Sequence, residues 1–207
     1  MDTIDTAMSA PVARRIVVTG GPGAGKTVIC HRLAAAHPAR FILVPEAATQ
    51  VYAARQTRWD RLDLEGRRDV QRGIYRLQRE QEDRIAAQHP GKILLHDRGT
   101  IDGAAYWPSG PDEYWLDLRT THQQELARYH AVIWLQSAAA LGIYDGDASN
   151  ECRFEDAQAA IASGQKLVDL WGNHPRFQQI DAHADLDKKV DAVLAALDAL
   201  LKKSHAS

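Results

Sequence analysis

The chain has 207 residues, room for one domain with a real core, and its 45% hydrophobic and 25% charged residues fit a folded globular protein rather than a disordered or collagen-like one. Lysine plus arginine number 25 against 27 aspartate plus glutamate, so the formal charge of -2 supplies no global field for nucleic acid or an anionic membrane. No run approaches the ~18 apolar residues of a membrane helix, and Met1-Asp2-Thr3-Ile4-Asp5 lacks the basic and apolar regions of a secretory signal, so the expectation is a cytoplasmic protein.

In chain order, residues 1–13 mix small, polar and proline residues without periodicity and read as a flexible leader to a single domain over 14–207. Arg15-Ile16-Val17-Val18-Thr19 is a short β-branched run stopped by glycine, as expected for a strand buried on both faces of a parallel sheet. Val28, Ile29 and Leu33 then recur at helical spacing until His37-Pro38. Phe41-Ile42-Leu43-Val44 reads as a second strand. Val70, Ile74, Leu77 and Ile85 put an apolar stripe on a long charged helix ending near His89-Pro90-Gly91. The arginines from Arg55 to Arg84 could receive a phosphorylated acceptor, but their mixture with Glu80, Glu82 and Asp83 fits a solvated helix face better.

Lys92 to Leu95, Ala131 to Leu135 and Phe177 to Ile180 give three further strands, and Leu186, Val190, Val193, Leu194, Leu197, Leu200 and Leu201 line a closing helix. Strands alternating with helices predict a doubly wound α/β sheet. The two cysteines, Cys30 and Cys152, have no metal-type spacing and read as free thiols.

The segment Gly20-Gly21-Pro22-Gly23-Ala24-Gly25-Lys26-Thr27 meets the spacing G-x-x-x-x-G-K-S/T. Glycines let backbone N–H groups converge on phosphate oxygens, and the start of the next helix, at Lys26, Thr27 and Val28, adds positive partial charge. Lys26 is placed to reach the β and γ phosphates of ATP, and the Thr27 hydroxyl to ligate Mg²⁺. The alternative, a glycine-rich turn that binds nothing, fits poorly with its position between a buried strand and a helix.

Asp97 closes the third strand and suits a Mg²⁺-binding acid, with Arg98 beside it to steady a transferring phosphoryl group; a strand-end acid capping a turn is the plainer reading. Glu46 follows the second strand and stands where a general base would meet an acceptor hydroxyl, although an acid in a first helical turn is also simply favourable to the helix dipole. Tyr106, Trp107, Tyr114 and Trp115 either stack on a flat substrate or belong to the core. His96 reads as structural.

Val44-Pro45-Glu46-Ala47-Ala48, the run from Asp97 to Pro108, Asn150 to Glu155 and His174 to Phe177 together resemble the P-loop family labelled an AAA domain that includes the kinase half of NadR. More distantly, the acid after the second strand and the acid-arginine pair after the third are similar to those of deoxynucleoside kinases. The resemblance implies a three-layer P-loop fold with a five-stranded, mostly parallel sheet of order 2-3-1-4-5, helices on both faces and a small lid. It also implies that Arg153 closes on the ATP phosphates from the lid, and that Trp171 to Arg176, with His174 and Arg176, lies where related kinases contact adenine. Read from residues alone, Arg153 is either a lid arginine or an exposed partner of Glu155 or Asp156. This chain has Asp97-Arg98-Gly99 where deoxynucleoside kinases have Glu-Arg-Ser, which leaves the acceptor class open.

The leading expectation is a Mg²⁺-dependent transfer of the γ-phosphate of ATP to a hydroxyl of a small, nucleoside-like acceptor, with no nucleic-acid or membrane partner. Lys26 and Arg153 would neutralise charge, Thr27 and Asp97 hold the metal, and Glu46 take the proton. The rivals are a nucleotide-dependent switch protein and a monophosphate kinase whose acceptor phosphate would meet Arg55, Arg58 and Arg98.

Overall fold

The computed structural model describes residues 13–142 and 157–202. Five strands, β1 (Arg14–Thr19), β2 (Phe41–Val44), β3 (Ile93–Asp97), β4 (Ala131–Leu135) and β5 (Phe177–Ile180), form one sheet of order β2-β3-β1-β4-β5. Every pairing is parallel. The helices are α1 (Lys26–Ala36), α2 (Ala47–Ala54), α3 (Leu64–Gln88), α4 (Asp102–Ala105), α5 (Pro111–Asp117), α6 (His122–Leu126), α7 (Ala157–Trp171) and α8 (Leu186–Lys202). None is long and apolar enough to cross a membrane. The expected leader up to residue 12, Cys152 and Arg153 of the expected lid lie outside the described residues.

Side chains alternate across a strand, so a strand buried on both faces must be apolar at consecutive positions. In β1, Ile16 and Val18 pack with Ile29 and Leu33 of α1 and Val193 and Leu197 of α8, while Val17 joins Leu167 and Trp171 of α7 on the other face. The two layers of helices follow directly from that run. Cys30 belongs to the α1 side of this core, fully buried, and burial pushes its thiol pKa well up.

Register then sets what emerges at the carboxyl edge. Val18 pairs with Asp97 and Val44 with His96, so the chain leaving β2 and the chain leaving β3 bring Glu46 and Arg98 out beside one another. Thr19 pairs with Trp134, which delivers Gln136 and Ser137 to the flank of the glycine-rich loop.

Glu82 on α3 is fully buried, not solvated as its sequence neighbourhood predicts. It accepts from Arg128 at 2.6 Å, the Tyr129 hydroxyl at 2.7 Å, Gln78 at 3.0 Å and Arg15 at 3.2 Å, and His96 Nδ1 lies 3.3 Å away. Helical periodicity explains the position: Gln71, Tyr75, Gln78 and Glu82 form one buried stripe, with Tyr75 against α4 and α5 and Glu82 beside His96 of β3. Burial pushes the Glu82 carboxyl up, but His96, Arg128 and Tyr129 outweigh it and hold the pKa at about 2.

Because the folded pKa lies below the ordinary glutamate value of about 4.5, the carboxylate stabilises fully above about pH 4.5, and that stabilisation is lost as pH falls through 2. Glu82→Gln breaks the buried pairing and is expected to remove about 3 kcal/mol at pH 7. Urea unfolding across pH 2 to 7 checks both points: the wild type should lose stability more steeply than the variant below about pH 4.5.

Candidate active site

The loop from Gly20 to Gly25 joins β1 to α1. Its glycines are dictated by contact and by backbone angle: a Cβ on Gly20 would lie 2.3 Å from the Leu135 carbonyl oxygen, and Gly25, at φ +83°, caps α1 in the left-handed region. The first-turn N–H groups of α1, at Lys26, Thr27 and Val28, have no acceptor within the helix. Gly21, Gly23 and Ala24 complete the loop, and the Val28 side chain is exposed beside it.

Lys26 is buried, and its ammonium donates to the Gly21 carbonyl at 2.9 Å. Burial, helped by the Arg98 charge, lowers its pKa to about 7 against the pull of Asp97, Glu46 and Asp102. A cation so poorly solvated gains strongly from an anion brought to it. Next along the helix, the Thr27 hydroxyl donates to Asp97 Oδ2 at 2.6 Å.

Asp97 Oδ1 is buried with no hydrogen-bond partner among the described residues. Burial and the Glu46 charge raise the Asp97 pKa, outweighing Lys26, Thr27 and Arg98. A carboxylate with one satisfied and one orphaned oxygen next to a hydroxyl is the donor set a Mg²⁺ ion uses when phosphate oxygens and water supply its other ligands. Among the described residues no cluster of three or more His, Cys, Asp or Glu side chains could hold a metal alone.

Arg98 also takes a left-handed backbone, φ +75°, uncommon for a residue with a side chain. Its N–H donates to the Val18 carbonyl at 3.1 Å. Its buried guanidinium donates through Nε to Glu46 Oε1 at 2.6 Å and through Nη1 to Asp102 Oδ2 at 3.1 Å. Asp102 in turn accepts from the Thr19 hydroxyl and the Trp171 indole, each at 2.8 Å. Glu46 receives the Thr49 hydroxyl at 2.7 Å on its other oxygen.

Beside this pair lies a narrow cleft, with room of about 20 Å³, walled by Tyr75, Tyr106, Tyr114, Ile74, Gln71 and Gln78 and floored by Glu46, Arg98 and Asp102. Gln71 is buried with its amide nitrogen unpartnered among the described residues. Trp107 packs in the core beside Tyr114, and Trp115 packs against the same cluster, so the aromatic group divides between cleft wall and core.

Lys26, Thr27, Glu46, Asp97 and Arg98 are therefore brought together. His174 and Arg176 are not. The His174 ring bonds the Tyr129 carbonyl, and Arg176 bonds His130, at the amino ends of β4 and β5. The phosphate loop leaves the opposite edge of the sheet, roughly 16 Å away at the ordinary rise of a five-residue strand segment. Trp171 is core.

Arg55 pairs with Asp69 and Arg58 with Asp60, and neither lines the cleft. Asp102, Tyr75, Gln71 and Gln78 were missed in the sequence. The i, i+4, i+7 spacing of the last three on α3 was the signal that could have found them.

A strand-loop-helix phosphate grip on a parallel sheet of this order defines the P-loop class. A family model described as an AAA domain matches residues 15–188, and the chain belongs to that family. Among curated proteins no sequence match is found.

Among solved structures, the chain is similar to NadR in complex with NR, at 16% identity and a TM-score of 0.61, with 91% of this chain and 51% of that one covered. A second NadR structure, with NAD and AMP-PNP, matches at 15% identity and a TM-score of 0.61, covering 91% and 49%. Deoxyadenosine kinase from M. mycoides with bound dATP matches at 13% identity and a TM-score of 0.63, covering 89% and 99%. The chain spans about half the length of the NadR chains it matches, and the likeness at these identities is one of fold.

Asp102→Asn keeps the shape of the side chain and removes the charge facing Arg98. We expect a loss of about 2 to 4 kcal/mol in unfolding free energy, read by denaturant titration, because a buried guanidinium then has one carboxylate instead of two.

Proposed function

We propose that the chain is an ATP-dependent, Mg²⁺-requiring kinase that phosphorylates a hydroxyl group of a small, nucleoside-like acceptor. The observation that carries the reading is the Glu46–Arg98 pair, 2.6 Å apart at the floor of a cleft with tyrosine walls, on the same sheet edge as Lys26 and Thr27. A tyrosine-lined slot with buried amide groups suits a flat, hydrogen-bonding molecule. Arg55 and Arg58 are occupied by aspartates away from the cleft, which favours a hydroxyl acceptor over a phosphorylated one.

The residues fit their proposed tasks. The loop from Gly20 to Gly25 and the first turn of α1 present N–H groups to the triphosphate, and Lys26 neutralises its outer charge. Thr27 and Asp97 would hold Mg²⁺, which supplies charge neutralisation across the phosphates when bound. Glu46 accepts the proton of the acceptor hydroxyl as that oxygen bonds to the γ-phosphorus and the bond to the ADP oxygen breaks. Arg98 orients Glu46 and keeps positive charge near the transferring group. Arg153, outside the described residues, remains the proposed lid cation. The neighbouring structures named with AMP-PNP and with dATP support an adenine nucleotide as the phosphate donor.

Incubating the protein with Mg-ATP and a panel of nucleosides should reveal at least one that raises ADP formation well above the unstimulated rate. With that acceptor, Glu46→Gln is expected to lower kcat by about 100-fold or more, in the range of a lost general base, while the Kd for ATP stays within a few-fold. Unchanged turnover in the variant would remove Glu46 from the chemistry. Flat rates over the whole panel would count against the kinase.

A further inference from the structure

The carbonyl oxygens of four consecutive loop residues each accept a hydrogen bond. Gly21 O accepts from Lys26 Nζ at 2.9 Å and from Ala24 N at 3.3 Å. Pro22 O accepts from Ser137 Oγ at 2.6 Å. Gly23 O accepts from Ala138 N at 3.4 Å, and Ala24 O from Lys189 Nζ at 2.9 Å. In a trans peptide the C=O of one residue and the N–H of the next point in opposite directions, and no cis bond occurs among the described residues. Fixing the Pro22 and Ala24 carbonyls therefore turns the N–H groups of Gly23 and Gly25 to the other side of the loop.

We propose that Lys189 and Ser137 are positioning residues for the phosphate loop, clamping its carbonyls outward so that the Gly23 and Gly25 amides face a bound polyphosphate. This rests on the phosphate-loop reading above and names two side chains that make the grip rigid. Both arrive by topology. Ser137 follows β4, the parallel neighbour of β1, and Lys189 lies one turn into α8, whose first residue, Leu186, packs against the core cluster that includes Ala24.

Lys189 is an odd choice for mere cohesion. It is 4% exposed, and its ammonium contacts two carbonyls, Ala24 O and Gln136 O at 2.6 Å. Burial lowers its pKa to about 8, and among the described residues no neighbouring charge offsets the shift. A buried cation held by neutral oxygens alone costs stability that an apolar side chain of the same length would not. It supplies in return a compact set of diverging donors that ties the loop to the end of β4, and a positive charge directly behind the phosphate cradle.

The wild type and the Lys189→Met, Lys189→Arg and Ser137→Ala variants would be titrated calorimetrically with Mg-ATP and with inorganic tripolyphosphate, and melted without ligand. Lys189→Met is expected to bind both ligands roughly tenfold more weakly or worse, the scale of one lost charge-assisted hydrogen bond. Its Tm should change little, since removal of the desolvated charge offsets the loss of the donor to the Ala24 and Gln136 carbonyls. Lys189→Arg should recover part of the affinity, and Ser137→Ala should weaken binding by a few-fold.

Equal affinities in the wild type and Lys189→Met would overturn the positioning role. So would an affinity loss that only tracks a fallen Tm and is not recovered by arginine. Should Lys189→Met fail to fold, Ser137→Ala decides, and unchanged tripolyphosphate affinity there overturns the proposal. A wild type that binds neither ligand would overturn the phosphate-loop reading itself, a result distinct from a wild type that binds and variants that bind equally well.

Discussion

Arg98 is a guanidinium taken out of water, and the carboxyl edge of the sheet is built around keeping it paired. Stripping solvent from a cation costs several kcal/mol unless anions replace that solvent with good geometry. Glu46 and Asp102 do so from two sides, and Asp102 is itself fixed by Thr19 on β1 and Trp171 on α7. The charge of one side chain thus joins the ends of β1, β2 and β3 to the helical layer. The left-handed backbone at Arg98 is held within the same arrangement, where pairing on several sides over-determines it.

β3 carries this logic in both directions. Below the edge, His96 faces the buried anion Glu82, which collects Arg15, Arg128, Gln78 and Tyr129. Above it, Asp97 stands between Thr27 and Lys26, and Arg98 follows. Between them, Tyr129 reaches Glu82 and Thr100, and Thr100 reaches Glu125, so the cleft wall and the lower network share partners. Polar chains of this kind are stable only when their members are satisfied, which gives them few alternative arrangements.

The sheet was largely legible in the sequence because each strand is a short apolar run and each connection ends in a turn signal; the β2, β4 and β5 boundaries match the reading and β1 and β3 differ by one or two residues. The glycine loop was legible for a related reason: its residues are constrained by backbone geometry, which spacing records directly. Asp102 was not legible, since an acid four residues past an arginine looks the same whether it pairs inward or faces water. Glu82 was misread on the same ground, its charged neighbours Glu80 and Asp83 masking a stripe that turns inward. The placement of Trp171 to Arg176 near adenine came from resemblance alone, and strand polarity puts His174 and Arg176 at the far edge. Lys189 could not have been singled out, because its role depends on where α8 lands relative to β4.

Trp171 gives the molecule an optical handle on its buried guanidinium. Its indole N–H is committed to Asp102, and the far end of its ring lies against Gly99, one residue from Arg98, where an added Cβ would come within 2.9 Å. An indole shielded from solvent and touching a carboxylate emits light whose energy follows the local electric field. Displacement of the neighbouring guanidinium would therefore register in the fluorescence of this tryptophan, with no label attached.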